Sequence, residues 1–166
     1  MNSPSSHSST PGKAILINLL ASAAVLLGAL LCLRLDSIWP FALPSIPEPI
    51  SWFFLLAGIF LIVLAEVSFL TRGRATGAPG DPTRRLVISG IYRWVRNPIY
   101  LGGASILLGV ALFRRSPTLL LAACLLLPIL HLVVVFKEER RLERDFGGEY
   151  LEYKRNVPRW ILRPPK

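Results

Sequence analysis

Four apolar runs, Ala14 to Leu33, Ile50 to Leu70, Ile99 to Phe113 and Pro117 to Phe136, hold one carboxylate, Glu66, and one histidine, His131, and no other ionisable group except buried-type thiols and a tyrosine. Three of them reach the roughly 20 residues that cross a hydrocarbon core of about 30 Å. The third is shorter. It fits a bilayer by starting inside the preceding polar block near Tyr92, by tilting little, or by thinning the lipid around it. A chain of 166 residues with 52% hydrophobic side chains is too apolar for an ordinary soluble domain. The expected fold is therefore all-α: an integral membrane bundle of about four transmembrane helices. The first run is longer than a secretory h-region of about 7 to 15 residues and lacks a clear small-x-small cleavage site, so it reads as a retained helix.

A net charge of +9 would point to nucleic acid in a soluble protein. Here the basic residues are sorted by loop. Arg72, Arg74, Arg84, Arg85, Arg93 and Arg96 lie between runs two and three, and nine more follow run four, from Lys137 to Lys166. The connection between runs one and two has only Arg34, with Asp36 and Glu48. This bias places both termini and the central loop in the cytoplasm, at the inner membrane if the chain is bacterial. The expected partners are membrane lipids and not nucleic acid. Arg114 and Arg115, between runs three and four, are a small exception. Cys32 and Cys124 sit in different runs with no metal-ligand spacing, so they read as small buried hydrophobes and no metal is expected.

Residues 1–12, rich in Ser and Pro, read as a disordered tail, and residues 13–70 as two N-terminal helices. Residues 71–166 form the remaining unit: a cytoplasmic loop, a helical hairpin and a C-terminal segment. The prolines of Leu43 to Pro49 make a stiff external connection, whereas the glycines of Thr71 to Asp81 make a flexible one that serves as a lid or as an ordinary loop. Glu138 to Arg144 should continue run four as a charged helix that Phe146, Gly147 and Gly148 break. A second helix, Glu149 to Asn156, would put Tyr150 and Tyr153 on one face, a membrane-interface pattern.

Two polar blocks flank the hairpin and return to one membrane face: Gly90 to Tyr100 and Lys137 to Arg159. Pro98 suits the first turn of a helix whose free N–H groups, beside Arg93 and Arg96, can seat a carboxylate or phosphate. From composition alone, anchoring the helix to lipid head groups is the preferred role of these arginines. Glu138 and Glu139 stand where the helix dipole is negative, which calls for a cation, either a neighbour such as Arg141 or Arg144 or a ligand. His131, seven residues earlier, should project from nearly the same face as Glu138. It is a functional candidate or a histidine bonded to a neighbouring helix. Glu66, one turn from the cytoplasmic end of run two, is expected to be structural, either snorkelling to the interface or pairing with Arg72.

These blocks resemble the isoprenylcysteine carboxyl methyltransferase and phospholipid methyltransferase superfamily. Its pattern G-x-Y-x-x-x-R-[HN]-P-x-Y-x-G matches Gly90, Tyr92, Arg96, Asn97, Pro98, Tyr100 and Gly102. Its second element matches from Glu138 and Glu139 through Leu142, Phe146, Gly147, Glu149, Tyr150, Tyr153, Val157 and Pro158. The resemblance covers Arg84 to Arg163. It implies an S-adenosylmethionine pocket, completed by the C-terminal segment, with contacts from Arg84, Arg85, Leu86, Val87, Tyr92, Asn97, Pro98, Ile99, Tyr100 and Glu138. His131, Arg96 and Glu139 are the candidates for catalysis. The implied reaction is methyl transfer to a lipophilic acceptor entering from the bilayer, carboxyl O-methylation or lipid amine N-methylation. In two places the chain departs from its relatives. Asn97 stands where histidine is frequent, and Val134 where the eukaryotic prenylcysteine enzymes hold the substrate carboxylate with arginine. Competing expectations are a sterol-type reductase using NADPH and a non-catalytic protein binding anionic lipid.

Overall fold

The computed structural model describes residues 27–38, 41–68, 71 and 86–164. The N-terminal tail, the start of run one, and residues 72–85 with Arg72, Arg84 and Arg85 lie outside the described residues. Every regular element among the described residues is helical. Residues 27–38 form α1, Glu48–Ser68 form α2, and a 3-10 turn spans Gly90–Arg93. Then come α3 (Pro98–Phe113), α4 (Pro117–Val133), a π turn (Val134–Glu138), α5 (Glu139–Phe146) and α6 (Gly148–Asn156).

The helix limits follow from local chemistry. Pro98 and Pro117 each occupy the first turn of their helix, where a missing N–H is harmless. Ser116 caps α4 by accepting from Leu119 N at 3.1 Å. Gly147, at φ 53°, ends α5 in a conformation that side chains with a Cβ rarely adopt. Helix α4, the π turn and α5 run on as one helix, Pro117–Phe146.

Among the described residues two helices are long and apolar enough to cross a membrane, Glu48–Ser68 and Pro117–Phe146, and Pro98–Phe113 is a shorter apolar helix. Their outer faces are apolar too: Phe53, Leu56 and Phe60 on α2, and Leu121, Leu125, Ile129 and Leu132 on α4, are all exposed. So much exposed apolar surface needs a cover other than water. Cys32 and Cys124 are both free. Cys124 is exposed on this apolar surface rather than buried as expected, because α4 turns that side outward.

Small residues set how the helices meet. Gly58 on α2 faces Gly102 on α3, and Gly109 faces Ser51 and Leu55, an antiparallel pairing with backbones in near contact. Ser105 Oγ donates to the carbonyl of Phe54 at 2.9 Å, a bond that only such proximity allows. At one end of the bundle, α1 docks on the α3–α4 turn. Thr118 Oγ1 donates to Cys32 O at 2.8 Å, and Asp36 accepts from Ser116 Oγ and Thr118 N. At the other end, the last turn of α2 packs on the segment before α3: Ala65, Val87 and Tyr92 form a buried cluster with Ile91 and Ile99 against it. Gly90 is needed there, since φ is 64° and a Cβ would strike Ser68 Oγ.

A Cβ at Gly58 would lie 2.6 Å from Gly102 O and 2.9 Å from Ile106 N, both backbone atoms. Gly58→Ala should therefore force α2 from α3 and cost about 1–3 kcal/mol. Gly103→Ala, where nothing lies within 4 Å, should be neutral or slightly stabilising. Thermal unfolding of both variants in the same detergent checks the contrast.

Candidate active site

The two polar blocks meet at the end of the bundle formed by the start of α3, the π turn and α5. Some of the key contacts join the two blocks, and others lie within the second. Arg96 Nη1 lies 3.0 Å from Glu139 Oε1, with the two side chains 8% and 4% exposed. Arg159 grips the same carboxylate with two nitrogens, Nε to Oε1 at 2.6 Å and Nη2 to Oε2 at 3.1 Å. Lys154 Nζ reaches Glu139 Oε2 at 3.1 Å and Glu143 Oε1 at 2.7 Å. Tyr150 accepts a further bond from Arg96 Nη1 at 3.3 Å. Three cations thus surround one buried carboxylate, which is how a charge can survive desolvation.

The titration behaviour follows from this packing. Hydrogen bonding to Glu139 raises the Arg159 pKa above its ordinary value. Bonds to Glu143, and then to Glu139, raise that of Lys154. Burial pushes the phenols of Tyr150 and Tyr153 upward, so both stay neutral.

Beside this cluster lies a second contact. Tyr100 OH donates to Glu138 Oε1, joining the first turn of α3 to the π turn. Asn97 does not cap α3 with its side chain. Its Nδ2 instead donates to the backbone oxygen of Arg159 at 3.2 Å. The leading amides of α3 therefore keep their pull on an anion. The C-terminal segment is strapped down along its length: Arg96 N donates to Pro158 O at 3.0 Å, Arg163 N to Trp94 O at 3.1 Å, and Trp160 Nε1 to His131 Nδ1 at 3.1 Å.

The π turn explains which glutamate does what. In an unbroken α-helix, His131 and Glu138 would share a face. One extra residue in a turn sets the following helix back by roughly 100°. His131 and Glu139 both meet the C-terminal segment, through Trp160 and Arg159, and Glu138 meets α3. The expectation of a shared His131–Glu138 face is corrected accordingly. The cation beside the glutamates is also neither neighbour on the helix. Arg141 pairs with Asp145, and the cations on Glu139 come from 43 residues earlier and from the following segment.

Of the residues expected around a cofactor, Asn97, Pro98, Ile99, Tyr100 and Glu138 are gathered at this end. Val87 and Tyr92 are buried against Ala65, and Leu86 packs on a cluster of Tyr150, Tyr153 and Val157. Tyr150 and Tyr153 are 2% and 8% exposed, core residues rather than membrane-interface ones. Tyr153 OH donates to Tyr92 O at 2.8 Å, tying α6 to the 3-10 turn. Arg96 is a buried strut, not a lipid anchor. Lys154, Arg159 and Trp160 also belong to the site, though no motif position marks them. The signal available was a tail dense in bases directly after a helix dense in acids.

A family model for phospholipid methyltransferases matches residues 50–149, from the first turn of α2 into α6. The chain belongs to that family. The match reaches further back than the motifs alone, and takes in α2. The chain is similar to the protein-S-isoprenylcysteine O-methyltransferases of Rattus norvegicus, 29% identical over 110 residues covering 61% of this chain and 39% of the relative. Those of Xenopus laevis (29% over 119 residues, 67% and 41%) and Homo sapiens (36% over 76 residues, 46% and 27%) are similar too. The chain thus spans about two fifths or less of the length of these relatives.

Glu139→Gln would leave Arg96, Arg159 and Lys154 facing a neutral amide. It should cost about 3 kcal/mol or more, as for one partner removed from a buried ion pair. The C-terminal segment should then be released. Tryptic cleavage after Arg159 should accelerate in Glu139→Gln and stay at the wild-type rate in Glu138→Gln.

Proposed function

We propose that the protein is an S-adenosylmethionine-dependent membrane methyltransferase acting on a lipophilic acceptor, with carboxyl O-methylation as the reaction. The observation that carries this reading is the joining of the two family motifs at one end of the bundle, Tyr100 to Glu138 and Asn97 to the backbone of Arg159. The names of the relatives, protein-S-isoprenylcysteine O-methyltransferases, supply the chemistry. The donor set fits a zwitterionic cofactor. Uncapped amides at the start of α3 suit its carboxylate, and Glu138 suits its amino group or ribose hydroxyls. Leu86, Val87, Tyr92, Pro98 and Ile99, with Arg84 and Arg85, would complete its surroundings. When bound, the cofactor supplies an electrophilic methyl group on a sulfonium.

The protein's own contribution is to position. The Glu139 cluster fixes the C-terminal segment over the start of α3, which holds Asn97 and excludes water from that end. A carboxylate acceptor is already a nucleophile and needs no base. Arg96 and Glu139, committed to each other, are positioning residues in this reading. The chain would cross the membrane several times, with both termini and the site on the cytoplasmic face, where the basic segments lie. Acceptor and membrane lipid would then share the same bilayer.

Lipid amine N-methylation is the second reading, favoured by the description of the family model. Purified protein in lipid nanodiscs, incubated with methyl-labelled cofactor and a total membrane extract, should label a lipophilic carboxylate as its base-labile methyl ester. A base-stable label on an amine head group would replace this reading with the second. S-adenosylmethionine, and not NADPH, should raise the melting temperature, and Asn97→Ala and Glu138→Ala should each abolish that rise. A rise with NADPH alone would point to a reductase.

A further inference from the structure

Within Pro98–Phe113 and residues 119–136, the strong hydrogen-bonding side chains are Tyr100, Ser105 and His131. The first two are committed, to Glu138 and to the carbonyl of Phe54. His131 is half committed. Trp160 Nε1 lies 3.1 Å from His131 Nδ1. An indole N–H only donates, so Nδ1 must offer its lone pair, and the proton of the neutral ring sits on Nε2. Among the described residues no hydrogen bond reaches Nε2. The residue is half-buried, and the apolar residues that share its side of the helix, Leu127 and Val134, are half-buried and buried. A donor at such a place is costly unless an acceptor meets it.

We propose that His131, through Nε2–H, is the hydrogen-bond donor that receives the carboxyl group of the lipophilic methyl acceptor, and that Trp160 is the positioning residue that keeps the proton on Nε2. This rests on the methyl-transfer reading of the same site. A carboxylate can accept from Nε2–H through one oxygen and keep the other for bond formation. No proton leaves it, so His131 never changes protonation. An amine fits worse. Protonated, it has no lone pair to offer; neutral, it has one, and giving that to Nε2–H would block its attack. The tautomer thus selects carboxylates over amines, and His131 is a specificity residue rather than a base.

The chain has two histidines, His7 and His131, so nitrogen-15 labelling of the full protein in nanodiscs gives two imidazoles, assigned with His131→Gln. In the neutral wild-type ring the His131 proton should sit on Nε2, and Trp160→Phe should mix the tautomers. S-farnesyl-N-acetylcysteine should shift the Nε2 signal and farnesylamine should not. In turnover, His131→Phe should raise the KM for the prenylcysteine on the order of tenfold, the worth of one hydrogen bond. Its cofactor Kd should be unchanged, which also shows the variant folded. Glutamine, which can accept from Trp160 and still donate, should restore most of the loss. A wild-type ring protonated on Nδ1, no Nε2 shift with the carboxylate, or an unchanged KM in His131→Phe would overturn the proposal. If the wild type methylates no carboxylate, the carboxyl O-methylation reading falls, and the Nε2 shift still decides whether His131 binds one.

Discussion

A buried carboxylate with three cations around it holds this end of the molecule together. Glu139 is 3% exposed, and stripping water from one carboxylate costs several kcal/mol in the absence of compensation. Arg96, Arg159 and Lys154 provide that compensation from three different places in the chain. The consequence is geometric. The start of α3, the start of α5 and the C-terminal segment cannot separate without exposing or stranding a charge, so Asn97, Tyr100 and Glu138 are held in mutual reach.

The π turn is the second constraint, and it makes the first one possible. Two adjacent glutamates on a regular helix differ by roughly 100°, and seven residues bring a side chain back to almost the same direction. The wider turn moves Glu139 toward the C-terminal segment and leaves Glu138 for α3. One carboxylate then serves the frame and the other accepts from Tyr100 at the start of α3. Wide turns of this kind inside α-helices are frequent at functional sites, where a side chain must be re-aimed without ending the helix.

Much of the fold was legible in the sequence. Pro98, Pro117 and Gly147 mark helix limits because their backbone chemistry admits few alternatives, and the limits fall at these residues. The break at Gly147 and the end of α6 at Val157 follow the same logic. Less local facts were hidden. That Arg96 is buried on Glu139, 43 residues away, cannot be read from an arginine beside an apolar run, because lipid anchoring gives the same pattern. Tyr150 and Tyr153 at a spacing of three mark one face of a helix, and only their neighbours Leu86, Leu142 and Phe146 say that this face is a core. The choice between Glu138 and Glu139 depended on a single extra residue in one turn, which no periodicity reveals.

The proposed function needs one cofactor bound between the two polar blocks, and photo-crosslinking with an azidoadenosyl analogue of S-adenosylmethionine tests that most directly. Mass spectrometry of the digested protein should find label on peptides from both residues 86–100 and residues 138–160, and unlabelled cofactor should compete it away. Competed label confined to the opposite end, on residues 27–47 or 114–118, would contradict it.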